Sequence, residues 1–233
     1  MTGDDIIGTT MDNHLHDTGG VRWTAEERLG YLNEAILHIA LVMPKAASVN
    51  RIMKLVANTT RQPLPDGATD QDPDGNVLPK GISWLDMLCN MGADGATPGD
   101  AIWLTDRRTL EQVKPGWHSE AGATAIDHYI IDERLPGIAF VYPRPHASTV
   151  VWVLGTYVAS PTLLTVAGDT FPYEDIYASP ARNWVLHRCY GKDIESPASQ
   201  ARSARHFNAY YTDLGLKPPA DSGVSPKNKG HLA

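Results

Sequence analysis

Apolar residues recur along this chain in two rhythms, one of helices and one of strands. In "TAEERLGYLNEAILHIALVMP", Leu29, Leu32, Ile36, Ile39 and Met43 return at helical spacing. Thr24 with Glu27 forms a capping box ahead of them and Pro44 marks a stop, which predicts an amphipathic helix over about residues 24–43. The rhythm then shortens. "SVNRIMKLVANTTRQPLPDG" is apolar and β-branched up to Pro63 and Pro65, and reads as one strand ending in a turn. "SWLDMLCNMG" fits a short helix or a strand, and the Gly-rich "GADGATPGD" and alternating "AIWLT" behind it favour the strand. "DRRTLEQV" is a short helix, "DHYIIDERLPGIAFVYPRP" a hairpin and "STVVWVLGTYVAS" a further strand.

After "TVAGDTFPYED" the helical rhythm returns. Tyr177, Ala181, Trp184, Val185 and Cys189 share one stripe of a helix over about 174–191. A Ser196 cap with Pro197 at the first position opens another over about 196–214, closed by Gly215. This order predicts an α+β fold: a helical bundle of one N-terminal and two C-terminal helices, carrying an inserted antiparallel β domain over about residues 48–160. Residues 22–216 make a single domain. Residues 1–21 are polar with a Gly-Gly end, and residues 217–233 are rich in Pro, Gly and Lys, so both are expected to be flexible tails.

At 233 residues and 42% hydrophobic composition the chain can bury a sizeable core. No apolar run approaches the roughly 20 residues needed to cross a bilayer, and the N-terminus has acids where a signal peptide needs a basic start, so no membrane partner is expected. Cys89 and Cys189 are too few for a disulfide framework and read as apolar fillers. The net charge of −7 conceals an asymmetry: from Ala181 onward eight basic residues face four acidic ones, a net +4, which leaves −11 for the rest. An acidic body argues against gripping nucleic acid, whose binding draws on neutralised phosphates, and suits a surface past which DNA slides.

Asp132 and Glu133 are the first candidates for chemistry. Adjacent strand residues point to opposite faces, and "DERLPG" holds the turn formers Pro136 and Gly137, so the two carboxylates read as a hairpin tip rather than an acid/base pair. "DQDPDGN" makes Asp70, Asp72 and Asp74 the candidate metal ligands, with calcium as the ion, since alternate carboxylates before Gly75 resemble the first half of a calcium loop. The second half departs from that pattern: Gly81 stands where a bidentate Glu belongs. His14 and His16 lack a third ligand, "GADGATPG" lacks the Lys of a phosphate cradle, and Ser119 beside His118 and Glu120 is no triad. No catalytic constellation emerges and no cofactor is expected, because Asp, Gly and Pro are also the composition of an exposed, solvated turn; a calcium ion is the competing reading of that loop. The basic residues Arg188 with Lys192 and Arg202 with Arg205 can stripe exposed helix faces, solvated or docked to an acidic partner.

Three runs, "NMGADGATPGDAIWLTDRRTLEQVKPGWH", "DHYIIDERLPGIAFVYPRP" and "DIYASPARNWVLHRCYGKD", preceded by "RWTAEERLGYLNEAILHIALVMPKA", resemble the head-to-tail adaptor (connector) proteins of tailed bacteriophages, including the tail-tube adaptors of short-tailed phages. The resemblance covers roughly residues 22–216. It implies a structural virion protein, not an enzyme, made in the host bacterial cytoplasm and located at the head–tail junction. Copies would form a closed ring with neighbours of their own kind, bind the portal protein on one side and tail or nozzle proteins on the other, and pass DNA without sequence-specific binding. It implies a C-terminal segment reaching the portal, here Lys217, Pro218, Pro219, Lys227 and Lys229, and tail-component contacts on the hairpin at Arg134, Tyr142 and Arg144. Pro180 departs from it, kinking the expected helix or delaying its start to Ser179. The alternative is a calcium-dependent binding module of a tail or receptor-binding part, using the three aspartates.

Overall fold

The computed structural model describes residues 1–17, 19–192 and 196–219. Its helices are α1 (Gly3–Ile7), α2 (Thr9–Leu15), α3 (Ala25–Val42), α4 (Arg107–Val113), α5 (Ala178–Gly191) and α6 (Pro197–Asp213). Its strands are β1 (Ser48–Lys54), β2 (Arg61–Pro63), β3 (Gly81–Met91), β4 (Pro98–Ala101), β5 (Trp103–Leu104), β6 (His128–Ile131), β7 (Ile138–Tyr142) and β8 (Trp152–Ala159). They form an α+β protein of two compact units, Met1–Val42 with Thr162–Ala233, and Met43–Pro161.

The first unit is helical. At the start of α3 the Glu27 N–H donates to Thr24 Oγ1 (3.2 Å) and the Thr24 N–H to Glu27 Oε2 (3.1 Å), the reciprocal bonds of a capping box. The stripe that α3 buries is Leu32, Ala35, Ile36, Ile39 and Ala40, with Arg28; Leu29 and Met43, expected there, are half-buried. Pro180 lies in the first turn of α5, where helix N–H groups have no intrahelical partner, so it needs no kink. Ser196 Oγ accepts the Ser199 N–H at the start of α6, and Gly215, at φ +71°, lets the chain leave its end.

Residues 1–17 differ from the loose tail that their composition suggests. Two short helices form there, and Ile6, Ile7, Met11 and Leu15 are buried. The Gly3 and Asp4 N–H groups donate to Asp169 O (3.0 Å) and Ala167 O (2.7 Å), and the Phe171 N–H donates to Met1 O (3.0 Å). Arg28, 8% exposed, pairs with the Asp12 carboxylate and donates to Ile7 O (3.1 Å).

The second unit stacks two four-stranded sheets, ordered β1-β8-β3-β4 and β2-β7-β6-β5. Met53, Trp84, Met87, Val153 and Tyr157 of the first and Tyr129, Ala139 and Val141 of the second share one core. Pairing is antiparallel except between β5 and β6, which run parallel, so the β unit is mixed rather than wholly antiparallel. The expected single strand before Pro63 is two strands in different sheets. Asn58 takes φ +58° in the turn between them, and the Gln62 side chain, 1% exposed, staples that turn by accepting the Val56 N–H (2.6 Å) and donating to Val56 O and Thr59 O. β3 carries register shifts that bury Trp84 and Met87 three residues apart. That spacing explains why helix and strand were both plausible for this run.

Truncating Ile6 to Ala, at a site with no exposure, is expected to cost about 2–5 kcal/mol in urea unfolding. Val21→Ala, at an 87% exposed position, is expected to stay within about 0.5 kcal/mol. Equal and negligible effects would mean that the N-terminal helices do not belong to the folded unit.

Candidate interaction surfaces

The β6–β7 hairpin pairs Ile131 with Ala139 and turns through the residues between them. In that turn Asp132 accepts from the Arg134 backbone N–H (3.0 Å), Nε (3.0 Å) and Nη2 (3.1 Å). The guanidinium, followed by the backbone N–H, holds the Asp132 carboxyl below its usual range. Asp132 is thus committed to shaping the tip and Glu133 stands exposed beside it, which leaves no carboxylate pair across a cleft. Tyr142 lies at the other end of β7. Its hydroxyl donates to Glu120 Oε2 (2.8 Å), which raises its pKa, and its ring meets Trp117 edge-on at 6.5 Å. Arg144 is half-buried, with Nε enclosed and without a hydrogen-bond partner among the described residues. Of the three residues named as hairpin contacts, only Arg134 is fully exposed, its side chain at 88%. Trp103 (67% exposed) and Leu104 (64%) on the edge strand β5, and Val113 (70%) on α4, are exposed apolar residues that no local pattern marks in advance.

Asp70, Asp72 and Asp74 sit in a small, well-bonded turn. Asp72 Oδ1 accepts the N–H groups of Asp74 (3.0 Å) and Asn76 (2.8 Å), and its other oxygen accepts from Asn76 Nδ2 (3.1 Å). The Asn76 side chain and backbone together lower its pKa. Asp70 Oδ2 accepts the Asp66 N–H (2.9 Å), while Gly75 takes φ +84° so that its N–H reaches Asp72 O (3.0 Å). These bonds account for the Asp and Gly spacing by turn geometry. Among the described residues no three His, Cys, Asp or Glu side chains are placed to hold a metal ion.

In the helical unit Arg188 of α5 and Lys192, which follows it, are exposed but paired. Arg188 pairs with Glu34 (2.8 Å) and Lys192 with Glu27 (2.6 Å), so they tie α5 to α3 rather than forming an open docking stripe. Three histidines line the helix contacts. His38 stacks on Trp184 at 4.3 Å and its Nδ1 lies 2.7 Å from the Tyr210 hydroxyl. His187 Nδ1 lies 2.9 Å from Ser203 Oγ, and His206 Nδ1 lies 2.9 Å from Asn183 Oδ1. Burial pushes all three imidazoles below their usual pKa, and it pushes the Cys189 thiol up to about 12. Beside them, α5 and α6 border an open groove of about 610 Å³, lined by His187, Gln200, Ala204, Phe207 and Asn208. The chain past α6 turns back through a Leu216 N–H bond to Tyr211 O (2.8 Å), and Pro219 lines the same groove. Lys217, Pro218 and Pro219 are exposed; Lys227 and Lys229 lie outside the described residues.

The family model described as SU10 adaptor protein matches residues 1–228. That range takes in the N-terminal helices as well as the runs that carried the resemblance. Comparison with curated proteins gives no significant match.

Because the three histidines are held neutral by burial, the unfolded chain takes up their protons first as pH falls below about 6.5. Their contribution to stability is present above that pH and is lost as pH drops toward the folded values. The thermal midpoint of the helical unit is therefore expected to fall between about pH 7.5 and 5.5, and less in a His38→Phe, His187→Gln double variant. A flat profile in the wild type would contradict this.

Proposed function

Since the chain belongs to the SU10 adaptor protein family, a structural bacteriophage adaptor that binds other virion proteins, we propose that it forms a ring between portal and tail. The ring would extend the DNA channel and offer a platform for tail or nozzle proteins. It would be made in the host bacterial cytoplasm and take its place at the head–tail junction. The family match over residues 1–228 is the observation that carries this reading.

Charge supports it. The −11 carried before Ala181 disfavours adhesion of DNA phosphates, as a conduit for moving DNA requires. The hydrogen bonds described above support it too, because the residues that look reactive in the sequence are used in turns and helix contacts. Asp132 binds Arg134, Asp72 binds Asn76, and Arg188 binds Glu34. What these bonds leave exposed is surface, with Arg134 at the hairpin tip and the Lys217, Pro218, Pro219 segment after α6. We assign portal binding to the C-terminal segment, from Lys217 through Lys227 and Lys229. Tail-component contact is assigned to the hairpin, where Arg134 is the exposed member and Tyr142 and Arg144 support the strand behind it. No catalytic chemistry is part of this reading.

Velocity sedimentation with the portal ring of the same genome tests it. The protein is expected to co-migrate with the portal at a fixed ratio. A chain ending at Leu216 is expected to keep its fold, because α6 already closes through the Leu216 N–H, and to lose portal binding. Retained binding by that truncation would remove the anchor assignment, and failure of the full chain to bind at several salt concentrations would remove the ring position. Arg134→Glu is expected to weaken capture of the tail component at least about tenfold, roughly 1.4 kcal/mol, without changing portal binding.

A further inference from the structure

Local chemistry sets the direction in which the chain leaves α6. Leu214 is buried, Gly215 takes φ +71°, and the Leu216 N–H donates to Tyr211 O (2.8 Å), so the backbone turns back toward the helix it has just left. Pro218 and Pro219 then fix their own φ, and each holds the residue before it in extended backbone. The exit is therefore stiff, and it is aimed, because Pro219 lines the open groove bordered by α5 and α6.

The groove suits an extended, uncharged peptide. Ala204 and the Phe207 ring give it apolar surface, and Gln200 and Asn208 bring amides of the kind that both donate to and accept from a backbone. Among the described residues no Lys, Arg, Asp or Glu lines it, and burial lowers the His187 pKa and so favours its neutral form. From Gln200 to Asn208 it follows α6 for about 12 Å. Residues 220–226, "ADSGVSP", come directly after Pro219 and carry one charge, that of Asp221. Extended at about 3.3 Å per residue, four or so of them match that length. Lys227 and Lys229 fall beyond it, and α6 has no acid before Asp213 to hold them. The tether decides the occupant. A segment joined to the groove by so short a link meets it at an effective concentration on the order of mM, far above that of a second copy in solution.

Resting on the portal reading above, we propose that residues 220–226 seat in the α5–α6 groove of their own copy and hold the portal-binding segment in reserve until the portal draws it out. Lys227 and Lys229 stay outside as the first point of contact. Groove and portal compete for one segment, so the apparent portal affinity is the intrinsic one reduced by the fraction that is unseated.

Disulfide trapping within one chain tests the seat. In a Cys89→Ser background, with Cys189 buried, Ser222→Cys is combined either with Ala204→Cys in the groove or with Arg205→Cys, exposed on α6 but outside the groove. The groove pair is expected to close a disulfide as a monomer at least about tenfold faster than the outside pair, because seating raises the effective concentration of the two thiols. Equal rates would overturn the seat, and linked dimers in place of monomers would overturn it in favour of a neighbouring copy's segment. The locked groove pair is expected to lose portal co-migration and to regain it on reduction; portal binding by the locked form would overturn the reserve. Ala204→Arg, which fills the groove at an exposed position, is expected to bind portal about three- to tenfold tighter than the wild type, and unchanged affinity would overturn the competition. Fast closure with no portal binding by any variant would sink the portal assignment and leave the seat standing, whereas portal binding with equal closure rates would sink only the seat.

Discussion

The pairing of β1 with β8 is the contact on which the two-unit arrangement depends. These are the first and last strands of the inserted segment, and they match residue for residue from Ser48 opposite Val158 to Lys54 opposite Trp152. The segment therefore begins and ends side by side, and the entropy of closing a loop of more than a hundred residues is met inside the β unit, where the sheet hydrogen bonds and core offset it. Only then can Met1–Val42 and the chain from Thr162 onward form one helical unit. Bonds that join them span long distances in sequence. The Trp23 Nε1–H donates to Cys189 O (2.9 Å), Asn33 exchanges two hydrogen bonds with Leu164, and the Tyr173 hydroxyl donates to Ile36 O (2.7 Å).

Within each unit the polar groups that look reactive in the sequence are used to fix shape. The Thr69 hydroxyl beside Asp66 and the Asn76 amide beside Asp72, and the backbone N–H groups of their turns beside Asp94 and Asp169, lead the hydrogen bonds that hold these four carboxyls below their usual range. Ion pairs join α3 to α5. An adaptor works by presenting firm surfaces to several partners, and a chain whose turns are held by such bonds keeps those surfaces in place.

Much of the fold was legible because local signals and tertiary packing agreed. Thr24 with Glu27, Ser196 with Pro197, and Gly215 mark helix ends by chemistry confined to a few residues, and Pro136 with Gly137 mark the hairpin tip in the same way. The N-terminal helices were not legible, since five and seven residues are too short to show a period. Ile6 and Met11 become core residues only in the folded helical unit, where α1 packs on α3 and α5 and α2 packs on α5. β3 hid its identity in bulges, and the parallel β5–β6 pair followed from a strand that changes sheets at buried Ile102. Surface assignments were hardest. Arg188 and Lys192 read as free cations because Glu34 and Glu27 are distant in sequence, and Tyr142 read as a contact because its partners Glu120 and Trp117 lie on a different segment.

The central claim is that this chain is a structural component of a bacteriophage particle, and its presence in that particle is the most direct test. Quantitative peptide mass spectrometry of purified, salt-washed virions should find it at a fixed molar ratio to the portal protein. Its absence from such particles, with the protein abundant in the infected cell, would contradict the account.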